Sequence, residues 1–369
     1  MLFHDELKIN FIITGLGMGG AERQVCDLAD KLAEKGYPVL LISMTGEKIN
    51  MPQTGKVEVV ILNMVKTPWG FVRAYLQSRR IINNFKPDIV HSHMVHANIF
   101  SRLLRLTIKM PKLICTAHSS NEGGLVRMLA YRLTNSLCDI NTNVSQEAVD
   151  ISVKRGATPA NRIIAMHNGI DIERFVFDIV SRKKLRDELG LVESIPLILA
   201  VGRLTEAKDY PNLLTAFQRI ISTGSMAHLV IIGSGEEFIN LNSIVAELGL
   251  KNRVHFLGLR YDVQQWMSAA DVYVMSSAWE GMPLVLLEAM ACERVVVATD
   301  CGGVKEVVGD AGFLVPPRDS QLLADALVKA LSLPMAEKDK LTKLARSRVV
   351  ERYSIDSVCE KWLSIYQGK

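Results

Sequence analysis

Ile195-Pro-Leu-Ile-Leu-Ala-Val201 runs without interruption into Gly202-Arg203-Leu-Thr-Glu-Ala-Lys208-Asp-Tyr210. An apolar, partly β-branched run that stops at a glycine reads as a buried strand, and the polar loop behind it leads into helical spacing over 212–221. The same unit recurs on both sides of this stretch. Strands are expected at 9–14, 39–43, 88–92, 113–117, 140–144 and 163–167, with helices near 21–35, 71–85, 98–107, 124–135 and 145–154 between them. Downstream, strands are expected at 228–232, 254–257, 272–275 and 295–298, with helices near 237–248, 263–269 and 283–292. Strand and helix in strict alternation predict parallel α/β sheets.

A chain of 369 residues and 41.0 kDa exceeds what one hydrophobic core organises, so the alternation divides into two doubly wound Rossmann-like domains. The expected bounds are 1–175 for the first, 195–352 for the second, and a linker at 176–194, charged through Arg182-Lys-Lys184 and Arg186-Asp-Glu188. A final helix over 353–369, with Trp362 and Tyr366 four residues apart, is expected to cross back to the first domain. With 49% hydrophobic and 22% charged residues, disorder, collagen and coiled coil are excluded. No run of eighteen apolar residues occurs, and the opening Met1-Leu-Phe-His-Asp-Glu is unlike a signal peptide, so a cytoplasmic location is expected. Six widely spaced cysteines with no Cys-x-x-Cys suggest buried, reduced thiols.

The net charge of +4 is uneven: residues 60–135 hold eleven Lys or Arg against Asp88 and Glu122 alone. Such a field draws an anionic partner, whether lipid headgroups, a diphosphate or nucleic acid.

Three stretches are candidates for chemistry. Gly15-Leu-Gly17-Met-Gly19-Gly20 follows the first strand and satisfies Gly-x-Gly-x-x-Gly. A dinucleotide site also needs an acid closing the second strand, and Leu41-Ile-Ser-Met-Thr45 offers none before Glu47. Three readings stay open here: a dinucleotide, another phosphate at a helix N-terminus, or a tight turn. In the second stretch Arg203 and Lys208 emerge at the carboxyl end of a strand, where ligands of open α/β sheets bind; a guanidinium fork and a mobile ammonium suit a diphosphate. In the third, Glu280-Gly281-Met282-Pro283-Leu284 opens a helix that carries Glu288. Its free amides suit a phosphate, Glu280 the hydroxyls of a sugar, and Glu288 a ribose diol.

This cation loop, followed by about seventy residues of βαβ pattern and then Glu-x7-Glu, resembles the retaining glycosyltransferases of family 4, which have the GT-B fold. Asn168-Gly-Ile-Asp171, Ile232-Gly-Ser-Gly-Glu236, His255-Phe-Leu-Gly258, Ala270-Asp-Val272 and Gly302-Gly-Val-Lys-Glu306 extend the likeness over most of the chain. The resemblance implies that Gly17 and Gly19 face the donor's diphosphate across an interdomain cleft. It gives Arg203 and Lys208, with the helix-end residues Gly281, Met282 and Leu284, to that diphosphate, Glu280 to the donor sugar and Glu288 to the ribose. It places Gly233, Gly235, Leu259 and Arg260 around the nucleotide. His118, in Thr116-Ala-His118 at a strand end, becomes the catalytic candidate beside Glu280.

The activity so implied is transfer of a sugar from a nucleotide diphosphate sugar, UDP-hexose or UDP-N-acetylhexosamine, to a lipid-linked saccharide with an α linkage. The setting is O-antigen, capsule or lipopolysaccharide assembly at the inner membrane face. No cofactor is expected, since no Asp-x-Asp chelates a metal and His91, His93 and His96 lack a completing ligand. Arg102, Arg105 and Lys109, at helical spacings of three and four, are the expected membrane and acceptor patch, with anionic lipid rather than nucleic acid as partner. A nucleotide-sugar epimerase on the same fold and an NAD-dependent oxidoreductase are the alternative activities. Two departures from the family pattern are Asp209 after Lys208 and Cys292-Glu-Arg294 in place of Gly and Pro.

Overall fold

Each half of the chain winds its strands in parallel with helices on both faces. The computed structural model describes residues 7–119 and 125–368. Two units emerge, one formed by Met1–Ile170 with Ile355–Lys369 and the other by Asp171–Ser354.

The first unit runs β1 (Ile9–Ile13), α1 (Gly20–Glu34), β2 (Val39–Ser43), β3 (Glu58–Ile61), α2 (Pro68–Phe85), β4 (Ile89–His93), α3 (Val95–Leu104), β5 (Lys112–Ala117), α4 (Leu125–Thr134), β6 (Ile140–Asn143), α5 (Gln146–Lys154) and β7 (Ile163–Ala165). Its sheet has the order β3-β2-β1-β4-β5-β6-β7. The second unit runs α6 (Ile179–Glu188), β8 (Leu197–Val201), α7 (Tyr210–Ser222), β9 (His228–Ile232), α8 (Phe238–Glu247), β10 (Val254–Phe256), α9 (Val263–Ala269), β11 (Val272–Met275), α10 (Leu284–Ala291), β12 (Val295–Thr299), α11 (Val304–Val308), β13 (Phe313–Val315), α12 (Ser320–Leu331) and α13 (Met335–Tyr353). Here the order is β10-β9-β8-β11-β12-β13. Both are parallel sheets with a switch in strand order, at β1/β4 and at β8/β11, where open α/β sheets form their binding crevices.

Residue spacing explains the packing. β1 and β2 are buried throughout, as expected of strands covered on both faces. The last helix, α14 (Ile355–Gln367), buries Ile355, Val358, Cys359, Trp362, Leu363 and Tyr366, a stripe at spacings of three and four, and joins α1 in one core of the first unit. The chain leaves this unit after Ile170 and returns at Ile355, whose amide donates to the Ile170 carbonyl at 2.8 Å.

Several expectations change. Residues 176–194 contain α6 and belong to the second unit. Asp178 caps this helix, and Arg182 and Arg186 are buried in it against Asp271 and the carbonyls ending α9. β3, β13, α11 and α12 are additional to the expected elements. The expected helix start at residue 124 lies outside the described residues. The Arg102, Arg105 and Lys109 patch is corrected: α3 ends at Leu104, so the three share no helical face. Arg102 is fully buried, donating to the Tyr131 carbonyl, Thr134 Oγ1 and Asn141 Oδ1. Arg105 is paired with Asp139 at 2.7 Å, and only Lys109 is exposed. Among the described residues no helix is long and apolar enough to cross a membrane.

Candidate functional site

At the switch point of the second unit, two loops are sewn together. The amide of Ala278 donates to the Ala207 carbonyl at 2.8 Å, and Ser276 Oγ donates to the Lys208 carbonyl at 2.8 Å. This joins the loop after β8 to the loop after β11. Lys208 ends a short 3-10 turn, Glu206–Lys208, and its ammonium forms an ion pair with Glu280 Oε1. Ser277 Oγ donates to that same oxygen at 2.7 Å. Glu280 is therefore oriented by a cation and a hydroxyl, both supplied by strand-end loops. Asp209 follows in the left-handed region at φ 46°, which accounts for the small residue usual there; burial raises its carboxyl pKa. Arg203 stands exposed on the same β8 loop, five residues before Lys208.

Glycines let these loops close on one another. Gly233 has φ +143°, and a Cβ there would collide with the Gly202 carbonyl. At Gly302, φ +59°, a Cβ would meet the Glu280 carbonyl, while the Gly303 amide donates to Gly281 O at 2.7 Å. The backbone of 280–281 is thus braced from β12. Gly235 packs against Leu204 in the same way as Gly233 packs on Gly202. Leu259 and Arg260 lie exposed after β10, Arg260 forming an ion pair with Asp262 at 2.6 Å.

Pro283 is the cap residue of α10 rather than its first residue, so Gly281 and Met282 precede the helix and Leu284 opens it. Glu288 sits on the second turn. Burial raises the pKa of the Tyr273 hydroxyl, and the charges of Tyr210, Glu280 and Glu288 raise it further, so both carboxylates lie near one buried ring. In the loop after α10, Glu293 takes the left-handed φ of 57° and Arg294 is buried over the Phe177 ring at 4.6 Å. That is how Cys292-Glu-Arg294 fills a turn where Gly and Pro are usual.

In the first unit, Gly17 and Gly19 lie in the β1–α1 loop, and the space a side chain would fill is taken by the carboxylates of Glu47 and Glu22. Asn50 Nδ2 donates to the Gly17 carbonyl at 2.6 Å. His118 follows β5, and enclosure of its ring pushes its pKa down to about 4. His118 Nε2 lies 3.0 Å from His93 Nδ1. Both ring nitrogens of His91 are taken, by the Tyr366 hydroxyl and by Thr116 Oγ1 at 2.7 Å each. Among the described residues no three His, Cys, Asp or Glu side chains gather to hold a metal ion.

The structure brings Arg203, Lys208, Glu280 and the start of α10 to one edge of the second sheet. Ser277, absent from the sequence expectation, touches Glu280, and Tyr366, expected only as part of the terminal helix, touches His91. The Ser276-Ser277 pair at the end of β11 is a signal for the first; nothing local marks the second.

Residues 18–174 match Glycosyltransferase Family 4, and residues 181–348 match the glycosyl transferases group 1. A Campylobacter jejuni protein, N-acetylgalactosamine-N,N'-diacetylbacillosaminyl-diphospho-undecaprenol 4-alpha-N-acetylgalactosaminyltransferase, is 27% identical over 364 residues, 94% of each chain. The Escherichia coli UDP-Gal:alpha-D-GlcNAc-diphosphoundecaprenol alpha-1,3-galactosyltransferase is 25% identical over 318 residues, 83% of this chain and 80% of its own. Among solved structures, Anabaena HepE in complex with UDP and glucose superposes with a TM-score of 0.85, covering 98% of this chain and 100% of that one at 22% identity, a likeness of fold. With both halves matched and both sheets at hand, this chain belongs to the family 4 glycosyltransferases of the GT-B fold.

Proposed function

We propose that this protein is a retaining glycosyltransferase that moves a hexose or N-acetylhexosamine from a UDP-sugar to a saccharide carried on a polyprenyl diphosphate, forming an α linkage. The observation that carries the reading is the joined Arg203 loop, Lys208–Glu280 pair and α10 start at one switch point. As the bond from sugar to diphosphate breaks, negative charge grows on the β-phosphate. Arg203, Lys208 and the N-terminal end of α10 offer positive potential to that charge, and Glu280 offers a carboxylate to the sugar's hydroxyls. Cations from the chain itself serve here in place of a divalent metal. Glu288 takes the ribose, and Gly233, Gly235, Leu259 and Arg260 border the nucleotide. The acceptor hydroxyl attacks from the face the diphosphate leaves, with the departing phosphate taking its proton.

The two named relatives act on saccharides linked to diphospho-undecaprenol, which supports the acceptor class and a place in surface polysaccharide assembly. We assign the membrane-facing role to α2 and α4 in place of the Arg102 patch. Trp69 is 83% exposed, Leu76 56%, Val126 82% and Leu133 73%, with Val72 and Leu129 completing two stripes of spacing i, i+3, i+7. Neither helix carries an acid; Arg73, Arg79 and Arg80 on one and Arg127 and Arg132 on the other supply positive charge. Exposed apolar stripes edged by arginine suit an anionic bilayer at the inner membrane face.

A panel of nucleotide sugars screened for saturable thermal stabilisation tests the donor reading, repeated with Arg203→Ala. UDP-sugars should stabilise the native protein and largely fail with the variant. Proton spectra of the transfer product should show the donor's anomeric configuration. Stabilisation that survives Arg203→Ala, an inverted product, or a free epimer formed without acceptor overturns the reading.

A further inference from the structure

Two side chains of the β8 loop turn back onto Gly202, the residue that ends the strand. A Cβ on Gly202 would stand 3.0 Å from Lys208 Cε, 3.4 Å from Lys208 Cδ and 3.2 Å from the Tyr210 hydroxyl oxygen. That hydroxyl donates to the Gly202 carbonyl at 3.1 Å, and Tyr210 is buried. The lysine stem therefore crosses the Gly202 Cα in a slot with a phenol as one wall, and its ammonium continues to Glu280 Oε1.

Gly202 lies outside the left-handed region, and its amide extends the strand pairing by donating to the Ile232 carbonyl at 2.9 Å. Other residues could adopt that backbone, so glycine is needed here for space, and the Lys208 stem takes it. A lysine has four rotatable bonds, and its ammonium is a mobile point charge unless the stem is held. Lys208 is held at three levels. Its carbonyl accepts from Ser276 Oγ at 2.8 Å, its stem lies in the slot, and its ammonium pairs with Glu280. Asp209, at φ 46°, makes the turn that lets Lys208 and Tyr210 meet over one glycine. Burial and the Glu280 charge raise the pKa of the Tyr210 hydroxyl, so it stays protonated and keeps its bond to Gly202.

We propose that Gly202 and Tyr210 are positioning residues, forming a slot that grips the Lys208 stem so that the ammonium passes from Glu280 to a phosphate oxygen without the whole side chain being reordered. This rests on Lys208 serving the donor's diphosphate. The slot acts through the lysine alone, and its effect belongs to the step in which charge grows on the β-phosphate.

The test is a double-mutant cycle with Lys208→Ala in the full-length protein, read as turnover of a UDP-sugar. Gly202→Ala pushes the stem by a few tenths of an ångström and should lower kcat by about threefold to tenfold, with donor KM changed less than about twofold. Tyr210→Phe removes the bond to the Gly202 carbonyl and should act in the same direction. In the Lys208→Ala background both losses should vanish. If either substitution slows the Lys208→Ala enzyme by the factor it costs the wild type, the proposal is overturned, because the residue then acts on something other than the stem. Nuclear Overhauser cross-peaks between Gly202 Hα and Lys208 Hε protons read the slot in the wild type, with no variant having to fold. They should be present in the free protein and persist with UDP, and their absence in either state overturns the proposal. Full turnover by Lys208→Ala would instead remove Lys208 from the diphosphate, and the proposal with it.

Discussion

Lys208 and Glu280, seventy-two residues apart, share one ion pair, and Ser277 donates to the same Glu280 oxygen at 2.7 Å. The pair does two things. It aims the carboxylate, and it makes Glu280 a competitor for the cation that a diphosphate would use.

Glu280→Gln separates those effects. The amide keeps the shape and frees Lys208, so UDP should bind at least as tightly by calorimetry. Turnover with a UDP-sugar should fall by about a hundredfold, since the sugar loses its charged acceptor. Weaker UDP binding with unaltered kcat would reverse the roles given to the pair.

Gly302→Ala tests the brace on Glu280. The substitution meets both an unfavourable φ of +59° and the Glu280 carbonyl, whereas Gly249, at φ +69°, has open space around it. Gly249→Ala should cost about 1 kcal/mol and leave turnover intact. Gly302→Ala should cost more, about 2 to 3 kcal/mol, and lower kcat by moving the 280–281 backbone. Equal melting shifts with equal activity would remove the brace from the account.

The sheets were legible because buried parallel strands are continuous apolar runs and their helices carry apolar stripes. The glycine-bearing loops were legible because their residues answer to backbone demands. What escaped was held together by polar atoms. α6 reads as a charged linker because its anchors are Arg182 and Arg186, each buried and bonded to α9 carbonyls and Asp271. Arg102 misled for the same reason: a guanidinium on a helix looks like surface until Tyr131, Thr134 and Asn141 are found around it. β3 and β13 are four and three residues long with partly exposed patterns, too short for periodicity to mark. The contact from Tyr366 to His91 spans 275 residues, and no local pattern carries it. Arg102→Ala should therefore act as a core mutation, costing about 3 kcal/mol in denaturant unfolding by leaving buried acceptors unpaired. A loss below about 1 kcal/mol would return Arg102 to the surface reading.

Acid should weaken the fold through its histidines. His228, partly buried and then repelled by His255 and Arg253, has its pKa pushed down to about 4, and His118 stands at about 4 through burial. The unfolded value is about 6.5, so above that pH neither state binds the proton. Between about 6.5 and 4 the unfolded chain takes up protons that the folded chain refuses, and stability falls with pH. Tm should drop between pH 7 and pH 5, and the drop should be smaller in His228→Gln. An identical drop would mean that His228 titrates normally in the fold.

The docking face on α2 and α4 makes opposite demands from the Arg102 patch. Replacing Trp69 and Leu76 with serine, or Val126 and Leu133, removes side chains that already face solvent, so Tm should hold steady. Each such side chain entering a bilayer interface is worth about 1.5 kcal/mol, roughly tenfold in partition. Cosedimentation with phosphatidylcholine vesicles containing phosphatidylglycerol should drop sharply for either double variant and, for the wild type, should weaken with added salt and with pure phosphatidylcholine. These vesicles hold no polyprenyl acceptor, so binding to them reports the lipid surface alone. Vesicle binding that persists in both double variants would free these helices for a protein partner and leave the bilayer contact without a face.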